Sequence, residues 1–246
     1  MDERARAVRD VVIANRILAH QGVVDAYGHV SVRHPLHPDR YLLSRSRSPE
    51  LVEEGDIQEF ALGGTLLGED ARPPYLERFI HGAIYEARPE IQAVVHSHAE
   101  SVLPFSISTT PLEPVIHTAS FAGARFPVWD IRDTFGDTDL LVANMAQGRD
   151  LARRLGPDRV ALMRGHGFAA GGRALIEAVR IAVYLPLNAR VLLEARLLGG
   201  EVTTLSPGEI AAHGGFKPDA PAMWRAWEYW AVRAGCGSLL AERPDR

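Results

Sequence analysis

Val8, Val11, Val12, Asn15, Ile17 and Leu18 recur at close to a 3.6-residue period, and the run stops at Gly22. That pattern predicts an amphipathic first helix ended by a glycine. The period then shortens. "AYGHVSVRHP" and "RYLLSRS" predict two strands around the turn "HPLHPD", and "IQEFALGGTLLG" predicts a hairpin around its double glycine. From Tyr75 to Ala87 the pattern is helical, with Pro73 and Pro74 at its start and Arg88-Pro89 beyond its end. A strand over Ile91 to Val95 follows, and "RVALMRGHGFAAGG" predicts two more strands around a histidine set between glycines. "ALIEAVRIAVYLPLNARVLLEARLLGG" predicts a long apolar helix bent near Pro186, and "PAMWRAWEYWAVRAG" a last one with Trp224, Trp227 and Trp230 at spacing three. Strands in pairs with helices between and after them imply an α/β fold with a mixed, largely antiparallel sheet flanked by helices.

Composition narrows the partners. The chain has 246 residues, 46% hydrophobic, enough for a sizeable core, and no break divides it into two domains. A net charge of −4 provides no basic footprint for nucleic acid or an anionic membrane, so a small molecule is the expected partner. Cys236 is the single cysteine, which excludes an intrachain disulfide framework and a cysteine-based zinc site and suits a reducing compartment. The charged N-terminal run and the lack of any long uncharged apolar stretch predict a cytoplasmic protein. No G-x-G-x-x-G, G-x-x-x-x-G-K-[ST] or G-x-S-x-G motif is present, so dinucleotide, P-loop and serine-hydrolase chemistry lack their signatures.

The chemistry gathers in "AVVHSHAE", where His96 and His98 are two apart. In a strand both imidazoles leave the same face, ready either to bind a metal or to be satisfied by backbone carbonyls. His166, between Gly165 and Gly167, offers a third nitrogen where glycines let the backbone turn tightly. Three such ligands leave a divalent ion with an open position for substrate. Glu77 stands one helical turn before His81, as a catalytic carboxylate or as an ordinary first-turn glutamate. His81 and His117 read as structural histidines with one backbone partner each or, alternatively, as residues lining the site, and His20, His34, His37 and His213 as surface residues. Arg164 reads as a carboxylate partner or a surface charge.

Taken in order, the "GHVS" segment, E-x-x-x-H-x-x-I-Y-x-x-x-P at 77–89, A-V-V-H-S-H at 93–98 and G-H-G at 165–167 resemble the class II aldolase/adducin family over most of the chain. The resemblance implies a three-layer α/β/α domain over 1–246, with a C-terminal helical extension from about 206, and a homotetramer with active sites at subunit interfaces. It makes His96, His98 and His166 the ligands of one zinc, manganese, iron or cobalt ion, with Glu77 as the acid/base carboxylate.

The sugar-phosphate members of that family carry an asparagine where this chain has His29, a small hydroxyl-rich loop where it has "SRSRS", and serines where it has Tyr75-Leu76. Those departures, with "DAYGHVS" and "LLSRSRSPELV", resemble the family's decarboxylase branch, whose members act on hydroxylated aromatic dicarboxylates: 3,4-dihydroxyphthalate or 3-hydroxy-2-methylpyridine-4,5-dicarboxylate. On that resemblance Arg45 or Arg47 grips a carboxylate, Ser31 and Tyr75 line the substrate, and Glu77, or else His29, supplies the proton. A sugar aldolase or epimerase, an iron-dependent oxygenase and a non-catalytic adducin-like module are the rival expectations.

Overall fold

A computed structural model describes residues 2–212, 217 and 220–241. Along the chain run α1 (Glu3–His20), β1 (His29–Arg33), β2 (Arg40–Ser44), β3 (Ile57–Ala61), β4 (Leu66–Leu67), α2 (Arg78–Ala87) and β5 (Ala93–Ser97). Then follow α3 (Leu103–Ile107), β6 (Val128–Trp129), α4 (Arg132–Phe135), α5 (Met145–Leu155), β7 (Val160–Met163), β8 (Gly167–Gly172), α6 (Leu175–Leu197), α7 (Pro207–Ala212) and α8 (Pro221–Arg233). The strands form one sheet in the order β4-β3-β2-β1-β5-β8-β7-β6, antiparallel except for the β6–β7 pair.

Strand alternation sorts the core into two layers. Val30, Val32, Ala93, Val95, Phe168 and Ala170 face one side, where α1, α6 and α8 cover them. Leu43, Val94, Ala161 and Ala169 face the other side, under α2 and α5. The three-layer α/β/α arrangement and the largely antiparallel sheet are therefore present as expected. Trp227 and Trp230 are buried against α1 and α6 of their own chain, so this tryptophan stripe is core.

Several boundaries differ for physical reasons. Helix α2 begins at Arg78, not Tyr75, because Pro74 bridges to Arg45 and the Tyr75 hydroxyl donates to the Arg47 carbonyl. Strand β5 starts two residues later than expected, since Ile91 closes a turn onto Arg88. Pro186 does not divide α6, which runs on with Leu185, Asn188 and Ala189 buried around it. The sequence pattern leaves α5 unassigned because its buried stripe is short (Gly148, Leu151, Ala152, Leu155). Its start is marked all the same. The Asn144 side chain accepts from Gln147 N, and the Gln147 side chain accepts from Ala143 N.

His34 is buried rather than superficial: its Nδ1 accepts from the backbone N–H groups of Leu36 and His37, which builds the turn between β1 and β2. His20 and His37 are exposed, and His213 lies outside the described residues. No helix among the described residues is long and apolar enough to cross a membrane.

Candidate metal centre

The central strands deliver the cluster. His29 on β1 is in register with His96 on β5, and His96 with Ala169 on β8. Alternation then turns His29, Ser31 and His96 to the α2 side. His98 follows directly after β5, and His166 precedes β8. Gly165 sits at φ +63°, and a Cβ on Gly167 would lie 2.0 Å from the Ser97 carbonyl oxygen, so glycine is what brings His166 this close to β5.

His98 Nε2 lies 2.9 Å from His96 Nε2 and 3.1 Å from His166 Nε2, and Glu77 Oε2 lies 3.5 Å from both of the latter. One ligand atom from each of these four residues fits within 4.8 Å of the others. His96 Nδ1 donates to the Phe168 carbonyl and His166 Nδ1 to the Leu140 carbonyl, each over 3.0 Å. Those bonds place a proton on Nδ1 of each ring and aim both Nε2 atoms inward. Burial pushes the His98 pKa down to about 4, so it is neutral, and its single proton can reach at most one of those Nε2 atoms. Burial alone would raise the Glu77 pKa, but His96 and His166 hold it well below the usual carboxylate range. Three imidazole nitrogens and a carboxylate oxygen converging in this way are a donor set that a divalent cation fits.

Glu77 occupies the N-cap position of α2 without capping it. Its Oε1 accepts from Val142 N over 3.0 Å instead. The segment that holds Glu77 also holds His166, through the Leu140 carbonyl. Leu140, at φ +69°, is the one non-glycine residue in the left-handed region among those described. Such strain costs about 1 kcal/mol and is kept where the surroundings require it.

His29 is buried beside the cluster, its ring centroid 4.5 Å from Tyr75 and 5.1 Å from His96. Ser31, expected to touch substrate, is instead fully buried between His81 and Tyr85. His81 is no backbone-paired structural residue either, since both its nitrogens meet side chains. Arg45 and Arg47 do not project as free forks. Both engage Asp56, a buried carboxylate across the β2–β3 pair. Burial would raise the Asp56 pKa, but a bond from the Glu53 backbone and those from Arg45 and Arg47 hold it down. Tyr75 stands between this group and His29, with its hydroxyl on the Arg47 carbonyl. Arg164 pairs with Asp130. An open cavity of about 730 Å3 reaches His98, walled by Val23, Val24, Glu100, Tyr184, Arg190 and Trp230.

Comparison with known proteins adds to this geometry. The chain is 34% identical to the decarboxylase tropJ of Talaromyces stipitatus, over 94% of this chain and 95% of that protein. It is 27% identical to a 3,4-dihydroxyphthalate decarboxylase of Arthrobacter keyseri, over 84% of this chain and 86% of that one. A crystal structure of an aldolase II superfamily protein from Pseudomonas syringae shares the fold at a TM-score of 0.80, with 21% identity over 98% of this chain and 97% of that one. Residues 9–193 match the model of the class II aldolase and adducin N-terminal domain, and the chain belongs to that family.

Proposed function

We propose that this chain is a metal-dependent decarboxylase of a hydroxylated aromatic dicarboxylate, a lyase. The observation that carries the reading is the convergence of three imidazole nitrogens and the Glu77 carboxylate beside His29, a residue able to move a proton. Its similarity to decarboxylases over nearly the whole chain supports it.

His96, His98 and His166 would hold one zinc, manganese, iron or cobalt ion, with Glu77 alongside. A bound ion supplies positive charge that stabilises the negative charge developing on a ring oxygen next to the bond that breaks. The residues of the chain do the rest. Glu77 is ionised and committed to Val142, His96 and His166, so His29 is the better proton donor to the ring carbon that bears the leaving carboxylate. Tyr75 offers a flat wall beside His29. Arg45 uses its Nε on Asp56, which leaves the terminal nitrogens of its fork for the second carboxylate of the substrate.

The expected assembly is a cytoplasmic homotetramer with sites at subunit interfaces. Exposed apolar side chains near the cluster support this: Tyr27 beside His98, Ile107 beside Gly165, and Leu76 next to Glu77. Light scattering on the purified protein measures the mass directly, and a monomer refutes the assembly.

The test of function is CO2 release from 3,4-dihydroxyphthalate and from 3-hydroxy-2-methylpyridine-4,5-dicarboxylate. It uses enzyme stripped of metal and then reloaded with each of the four ions without oxygen. Metal-dependent CO2 from either substrate is expected. None from either, with any ion, refutes the reading. A requirement for oxygen and iron would select an oxygenase, and cleavage of a sugar phosphate an aldolase.

A further inference from the structure

A string of buried polar side chains leads away from the ligand cluster into the layer beneath α2. His29 Nδ1 lies 2.6 Å from His81 Nε2, His81 Nδ1 lies 2.6 Å from Ser31 Oγ, and Ser31 Oγ lies 2.7 Å from the Tyr85 hydroxyl. All four residues are buried. Two periods coincide to make it: alternate residues of β1 place His29 and Ser31 on one face, and the four-residue repeat of α2 places His81 and Tyr85 opposite. Arg33, the next β1 residue on that face, holds its guanidinium 4.9 Å from the Tyr85 ring centroid. It donates to the carbonyls of Ile91, Pro38, Tyr85 and Arg88, none of them a carboxylate. Carbonyls satisfy its donors, so its charge, shared with Glu90, acts on Tyr85 and offsets part of the burial that pushes the Tyr85 hydroxyl up.

Directions along such a string depend on one another, because a neutral imidazole has a single N–H. If Tyr85 donates to Ser31, then Ser31 donates to His81 Nδ1, His81 Nε2 donates to His29 Nδ1, and the proton of His29 sits on Nε2. Reversed, the string leaves Nε2 bare. A neutral His29 that gave up its Nε2 proton alone would become an imidazolate, so a second proton has to arrive at Nδ1.

We propose that Tyr85, Ser31 and His81 are a proton relay that holds His29 as its Nε2–H tautomer and replaces the proton it gives to the substrate. The proposal rests on the decarboxylase reading above. The Nε2–H bond of His29 breaks as a C–H bond forms at the ring carbon that bears the leaving carboxylate. In the same step the His81 Nε2 proton moves to His29 Nδ1, the Ser31 proton to His81 Nδ1, and the Tyr85 proton to Ser31 Oγ. Negative charge then rests on the Tyr85 oxygen, next to Arg33. The carbon–carbon bond breaks, its electron pair restores the aromatic ring, and CO2 departs. Water entering after product release returns one proton through His29 Nε2, the proton that decarboxylation consumes. His29 is the catalytic residue here, and the other three act through it.

Two measurements test the relay. In the zinc-loaded protein, long-range proton–nitrogen NMR of labelled histidines is expected to find His29 protonated at Nε2. A proton at Nδ1 overturns the relay whatever the substrate is. In the reloaded enzyme, Tyr85→Phe lowers kcat on the order of 100-fold with KM within about threefold. Its rate in H2O/D2O mixtures changes from a curved to a linear dependence on deuterium fraction. Ser31→Ala gives the same loss, and the double variant loses no more than either single one, because both cut the same string. Wild-type turnover in Tyr85→Phe, or additive losses in the double variant, overturns the proposal. If the wild type releases no CO2, the decarboxylase reading fails separately, and the tautomer measurement still judges the string.

Discussion

Replacing Gly167 with alanine adds one methyl group at the closest approach between the two strands that carry the ligands. The new Cβ would land 2.0 Å from the Ser97 carbonyl oxygen, 2.9 Å from its carbon and 3.0 Å from His98 Cα. All are backbone atoms, so no side chain can swing aside. A tolerable carbon–oxygen separation of about 3.3 Å forces β8 and β5 apart by roughly 1 Å. Metal–nitrogen distances tolerate only about 0.2 Å, so His166 is carried out of reach of an ion held by His96 and His98. Overpacking of this kind costs about 2 kcal/mol, which for a chain of this length lowers Tm by about 4–8 °C. Zinc affinity, measured by competition with a chromophoric chelator, is expected to fall at least ~100-fold, about 2.7 kcal/mol. Gly200→Ala is the control, since nothing lies within 4 Å of its Cβ. Gly167→Ala that binds zinc within threefold of wild type, with Tm within about 2 °C, refutes the argument that this close approach sets the ligand geometry.

Three further outcomes follow from the structure. Glu77→Gln keeps an acceptor for Val142 N but loses the charge facing His96 and His166, so zinc affinity in the chelator assay falls about 10- to 100-fold, and the metal-free Tm falls too because the depressed carboxylate pKa stabilises the fold at neutral pH. Glu177 is fully buried, accepts from Arg173 N and pairs with Arg159, so Glu177→Ala costs about 3 kcal/mol in urea unfolding and leaves zinc affinity intact. Burial raises the Asp10 pKa to about 6, against the pull of Arg6 and Arg9. The folded-state value lies above the unfolded one, so the penalty is absent below about pH 4 and full above about pH 6. Asp10→Asn therefore gains roughly 1–3 kcal/mol at pH 7.5 and nothing at pH 4 in denaturant melts.

The candidate metal ligands are legible in the sequence because local rules place them. A period of two puts His96 and His98 on one face, and the glycines flanking His166 announce a tight approach. The buried string is equally periodic, with His29 and Ser31 two apart and His81 and Tyr85 four apart. Yet only the β1–β5 register and the packing of α2 decide that these two sets face each other, and neither is local. Asp56 intercepts Arg45 and Arg47 from across a hairpin, a pairing no spacing rule reveals. Leu140 and Val142 lie in an aperiodic segment, so nothing in the sequence marks the carbonyl and amide that steady His166 and Glu77. His34 shows the opposite error, where a turn-like context suggests exposure although its ring builds the turn.

The pairing of β5 with β8 joins segments more than 70 residues apart in the chain, as the His96–Phe168 bond shows. Closing so long a loop is entropically costly, so we expect the third nitrogen to arrive late in folding. Until then an ion meets only the His96–His98 pair and is held weakly. Added zinc should therefore leave the refolding rate almost untouched and act on the other limb, slowing unfolding by nearly the full factor of its stabilisation. On the proposed function an ion would work as a latch on a finished structure, and its loss would appear first as a shorter lifetime of the folded state.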